Sequence, residues 1–108
     1  MKKFILILSL SVLSLSSMAK TFTCTSADKK VNVVAVLISE TSGTVEVLAP
    51  FQKQMNCSVS DFAIGADVVK GFVCGDGLPD VFAINEKSSK GMIEVSNQPH
   101  YDLECEIR

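Results

Sequence analysis

The end of the chain carries its clearest pattern. Over 100–107, Tyr101, Leu103, Cys105 and Ile107 alternate with His100, Asp102, Glu104 and Glu106. That is the period of two of a strand with one face in a core and one in water. The same period recurs upstream. Residues 21–25 set Phe22 and Cys24 against three threonines, 44–49 alternate through Val45 and Val47, and 55–59 turn Met55, Cys57 and Val59 to one side. Residues 30–38, 68–74, 81–85 and 91–95 are rich in β-branched and apolar residues and read as further strands. Turn residues cluster between them at 26–29, 40–43, 75–80, 86–90 and 97–99. Pro50 closes the strand before it, because proline cannot donate to a ladder. Gly71 reads as a bulge within 68–74. Residues 60–67 (SDFAIGAD) stay open between one helical turn capped by Ser60 and a loop broken by Gly65.

The pattern predicts about eight short strands, most joined by connections too short for a parallel crossover. The expected fold is an all-β antiparallel meander, closed as a small barrel or split as a sandwich. One strand departs from alternation: residues 33–38 are apolar on both faces. Burial on both sides, with 50–67 lying across the outer face, is the first explanation. The second is an exposed stripe of Val34, Val36 and Ile38 that docks a partner.

The first nineteen residues follow another logic. Lys2 and Lys3 precede an apolar stretch over 4–15 broken only by serines, and Ser17 and Ala19 place small residues before Lys20. This is the layout of a secretory signal peptide cleaved after Ala19. Twelve helical residues span about 18 Å, too little for a bilayer core of about 30 Å. No lipid-attachment cysteine stands at the cleavage point. The expectation is a bacterial-type export signal on 1–19 and a single β domain on 20–108, in the periplasm or outside the cell and off the membrane.

Splitting the chain there changes what its composition means. The whole chain is 47% hydrophobic with net charge −2. Residues 20–108 hold 39 apolar residues, eight basic and twelve acidic, so net charge is near −4. That excludes a disordered chain and a nucleic-acid binder working through a basic surface. All four cysteines, Cys24, Cys57, Cys74 and Cys105, lie in this body. In an exported chain an even number implies disulfides. Gaps of 33, 17 and 31 with a single histidine do not suit zinc, and no C-x-x-C suggests redox exchange. The nested pairing Cys24–Cys105 with Cys57–Cys74 is favoured, because a closed meander sets its first and last strands side by side. The closed loops would contribute about 4.5 and 3 kcal/mol on the chain-entropy argument.

Candidate chemistry is thin. His100 with Asp102 two residues on gives two members of a triad, but no serine sits in a nucleophile turn. The row Asp102, Glu104, Glu106 is a solvated strand face, usable as a contact patch for a basic partner. Asp76 and Asp80 in the 75–80 turn make a weak calcium candidate without the ligand spacing of a calcium loop. Asn56-Cys57-Ser58 matches the glycosylation pattern by chance. With five phenylalanines, one tyrosine and no tryptophan in 20–108, a stacking platform for sugars or bases is not supported. No cofactor is expected. The leading expectation is a small exported domain that binds or inhibits another protein without catalysis. The alternatives are a carrier with a small apolar ligand inside the barrel, and an enzyme centred on His100.

Overall fold

The computed structural model describes residues 20–75 and 79–108; the expected signal peptide and Asp76 lie outside them. Eight antiparallel strands run in chain order and close into a barrel. They are β1 (Lys20–Thr25), β2 (Asn32–Leu37), β3 (Ser42–Ala49), β4 (Lys53–Ile64), β5 (Asp67–Cys74), β6 (Asp80–Asn85), β7 (Lys90–Glu94) and β8 (Tyr101–Ile107). β1 pairs with β8, Phe22 opposite Ile107 and Cys24 opposite Cys105, so the first and last strands seal the wall. A sandwich is thereby excluded, and joining β1 to β8 removes the two edges that an open eight-stranded sheet would expose at its first and last strands.

The alternating residues point where their period requires. Phe22, Cys24, Val33, Ala35, Val45, Val47, Phe72, Phe82 and Ile84 are wholly or almost wholly buried. Three rings fill the middle. Phe22 and Phe72 meet edge to face at 6.2 Å, and Phe72 and Phe82 at 5.4 Å, the geometry the ring quadrupole favours. Gly43 belongs to the inward set of β3, and its missing side chain makes this possible. A Cβ there would stand 2.6 Å from Cε2 of Phe72 and 2.5 Å from the Val36 carbonyl.

Both disulfides join directly opposed residues. Cys24–Cys105 crosses the seam and Cys57–Cys74 ties β4 to β5. This is the nested pairing, and it agrees with an oxidising compartment.

Three local expectations change. Residues 60–67 form neither a helical turn nor a loop: β4 runs through Ile64, turns at Gly65-Ala66 and returns as β5. Gly65 has φ near +62° and Ala66 does not share that sign, as in a two-residue hairpin turn with glycine first. Gly71 is no bulge, since it pairs in register with Ser60 on one side and Ala83 on the other. The register shifts instead at Asn32 and Val33. Finally, 50–67 does not cover β2. Residues 53–59 are barrel wall and 60–67 extend past it in a hairpin with β5, and the outer side chains of Val34 and Val36 are half-buried between their neighbours.

Candidate functional site

The Val34, Val36, Ile38 stripe and the Asp102, Glu104, Glu106 row share one side of the barrel without merging. Thr23 of β1 stands opposite both Val34 and Glu106. A threonine row therefore separates the two, which lie about 10 Å apart at two strand spacings. On the other flank Val34 and Val36 face Glu46 and Thr44. Only Ile38, just past the end of β2, is well exposed. The stripe is a narrow ridge lined by polar side chains.

His100 lies between two carboxylates. Its Nε2 is 2.8 Å from Asp102 and its Nδ1 is 3.3 Å from Glu94. The Asp102 hydrogen bond, followed by that to Glu94, raises its pKa above the usual imidazole value. Asp102 thus orients the ring as its position suggested. Both ring nitrogens are committed to acids, however, and a triad histidine must turn one of them to a nucleophile.

Asp80 is fully used. Its Oδ2 accepts from the Lys53 ammonium at 2.8 Å, and its Oδ1 accepts the Ser96 N–H at 2.9 Å. Burial works to raise its pKa, but the Lys53 and Ser96 hydrogen bonds outweigh burial and hold it below the ordinary carboxylate value. A carboxylate so engaged pins β6 to the start of β4 and has little left to offer a cation. No cluster of three metal-ligating side chains occurs among the described residues.

The barrel interior is occupied by its own side chains. The apolar pocket at one end, lined by Val31, Val47, Phe51, Ile93, Val95 and Tyr101 among others, has a volume of about 10 Å³. That is room for about one water, against the several hundred cubic ångströms of a ligand site.

The exposed apolar side chains concentrate elsewhere. β3 flanks β4 only as far as Ser58, with Thr41 carbonyl accepting the Val59 N–H just beyond. β6 flanks β5 only from Lys70. The hairpin from Ser60 to Val69 therefore projects past its neighbours as a two-stranded ribbon, tied near its root by Cys57–Cys74. Of six large exposed apolar residues among those described, four lie on these two strands: Phe62 (49% exposed), Ile64 (63%), Val68 (59%) and Val73 (36%).

By strand alternation, Phe62, Ile64, Val69 and Val73 share the outer face. Phe62 lies over Gly71, where an added Cβ would be 2.5 Å from the ring and the three nearest atoms all belong to Phe62. Gly71 pairs with Ala83, Ala83 with Met92, and Val73 with Val81. The apolar tip therefore continues into an apolar row across β5, β6 and β7. On the inner face, Lys70 bonds Asp61 at 2.8 Å, above an open cleft of about 310 Å³ that reaches Glu86 and Lys87.

This ribbon was not among the residues the sequence singled out. One signal was present: Gly65-Ala66 between Phe62-Ala63-Ile64 and Val68-Val69 is a two-residue glycine turn between apolar runs. No family model matches the chain, and neither curated proteins nor solved structures yield a match.

Proposed function

We propose that this protein is an exported, non-enzymatic domain that docks on another protein through the outer face of the β4–β5 hairpin. One observation carries the reading. A ribbon free of flanking strands among the described residues displays Phe62 and Ile64 half to two-thirds exposed, and Phe62 joins an apolar row reaching β7. Continuous exposed apolar surface of this kind costs solubility and marks interaction sites. Aromatic anchors on a firm backbone are the residues that dominate such contacts. The Cys57–Cys74 bond supplies the firmness by fixing the ribbon near its root.

The docking reading is preferred over a ligand carrier because three phenylalanines and their neighbours fill the barrel. It is preferred over an enzyme because both nitrogens of His100 face carboxylates. Cleavage after Ala19 and residence in the periplasm or medium belong to the same proposal. Two disulfides and no free cysteine among the described residues agree with it.

The test is a paired capture from envelope extract. The oxidised protein and its Phe62→Ser/Ile64→Ser variant are each immobilised through a distant surface lysine. A defined protein retained by the first and lost from the second supports the proposal. Identical retention by both, or retention of nothing, refutes it.

A further inference from the structure

We propose that the free β4 edge of the hairpin pairs antiparallel with the same edge of a second copy, about a two-fold axis at Ala63. The inference goes beyond the docking proposal and does not depend on it, since it concerns the pure protein.

The backbone dictates which groups are available. In an antiparallel strand, successive residues direct their N–H and C=O alternately to the two sides. Val59 donates toward β3, to the Thr41 carbonyl at 2.9 Å. By alternation, Asp61 and Ala63 direct their backbone groups to that same side, where β4 has no paired strand beyond Val59 among the described residues. Ser60, Phe62 and Ile64 direct theirs to β5, consistent with Ile64 and Asp67 closing the two-residue turn. An edge of this sort is a template for another strand.

Sterics and charge then select the register. Centring the two-fold on Phe62 would bring the second copy's Gly65 turn opposite Val59, a position Thr41 already holds. Centring on Asp61 would oppose two like carboxylates and drive the turn further into β3. Centring on Ala63 places the second copy's Gly65 opposite Asp61, clear of Thr41. Ala63 then exchanges both backbone hydrogen bonds with its counterpart. Phe62 of each copy faces Ile64 of the other across the close, non-hydrogen-bonded pairs, and no charge opposes a charge. The β5 edge has no equivalent. Centred on Val68, it would bring the second copy's Ala66 opposite Lys70, where Ile84 of β6 is paired.

A second copy is the occupant because this edge complements itself. A small neutral residue sits on the axis, and an aromatic and an aliphatic side chain exchange across it. Opposed residues share a face, so the outer faces of the two hairpins merge. Two Phe62 and two Ile64 side chains then form one apolar surface for a partner. The contact is small, which places it among weak, transient associations.

Sedimentation of the oxidised protein across about 0.01–1 mM, the range of weak affinities, reads the association directly. The expected result is a concentration-dependent rise toward twice the monomer mass. Ala63→Lys, which places two ammonium groups opposite each other, should abolish that rise while circular dichroism stays unchanged. Ala63→Cys should cross-link between copies at low concentration, because directly opposed residues lie within disulfide reach. Ser60→Cys on the same strand should not exceed random cross-linking. A monomer at every concentration overturns the proposal, even if the edge becomes protected in a complex with another protein; the edge would then belong to a foreign strand. Association that survives Ala63→Lys, or equal cross-linking at both positions, overturns it as well.

Discussion

Phe62 and Gly71 should be energetically coupled with a change of sign. In the native protein the Phe62 ring occupies the space a Cβ at position 71 would need, 2.5 Å from its nearest ring carbon. Full burial of a phenylalanine stabilises by about 1.5–3 kcal/mol. With the residue 49% exposed, the seat on Gly71 contributes about 1 kcal/mol. Gly71→Ala unseats the ring and loses that contribution. It also relieves the entropic cost of glycine in a strand, worth about 0.5–1 kcal/mol. In the native background the two effects nearly cancel, leaving a neutral or slightly destabilised protein. In the Phe62→Ala background only the second survives, so Gly71→Ala should stabilise by about 0.5–1 kcal/mol. The four-variant cycle, measured by urea unfolding with disulfides intact, should give a coupling of about 1 kcal/mol. If Gly71→Ala shifts both backgrounds equally, to within about 0.5 kcal/mol, the ring does not rest on Gly71. The tip would then not be continuous with the row on β6 and β7.

Other consequences are open to the same instruments. Gly43→Ala should destabilise by about 1–3 kcal/mol through overpacking against Phe72, read as a lower urea midpoint; an unchanged midpoint would contradict the ring packing. Replacing Cys57 and Cys74 together by serine should cost about 3 kcal/mol and speed amide exchange mainly over 60–70. The same change at Cys24 and Cys105 should cost about 4.5 kcal/mol and loosen β1 and β8 instead. Asp80 has a lowered folded pKa, so the native state binds its proton less readily than the unfolded chain. Its stabilisation is fully present above the unfolded value of about 4 and is lost as pH falls through the folded one. Asp80→Asn should therefore flatten the acid limb of a stability-against-pH curve, and an unchanged limb would count against the Lys53 and Ser96 contacts.

The regions legible in the sequence are those where one face meets the core and the other meets water. β8 shows this best, its inward Leu103 and Cys105 alternating with exposed acids. The seam disulfide followed from the same logic, because closing the meander brings Cys24 to Cys105. The hairpin was illegible for the opposite reason. Beyond Ser60 neither face meets the core, so no burial difference imposes a period on Phe62-Ala63-Ile64, and the Ser60 and Gly65 signals suit a helical turn or a loop equally well. Residues 33–38 misled in the reverse sense. Val34 and Val36 are outward residues sheltered by threonines and Glu46 on the neighbouring strands, a neighbourhood fixed by pairing and invisible to one-dimensional periodicity. His100 and Asp102 met as expected because His100, just ahead of β8, stands two residues before Asp102, whereas Glu94 joined them only through the β7–β8 connection.

The most direct test of the docking account is an amide-exchange footprint of the oxidised protein in complex with a protein it captures. New protection over 60–69 and on the outer positions of β5 and β6, with β2 and β8 unchanged, is the predicted result. Protection centred on Val34, Val36 and Ile38, or on the Asp102–Glu104–Glu106 row, with 60–69 exchanging as in the free protein, would contradict it.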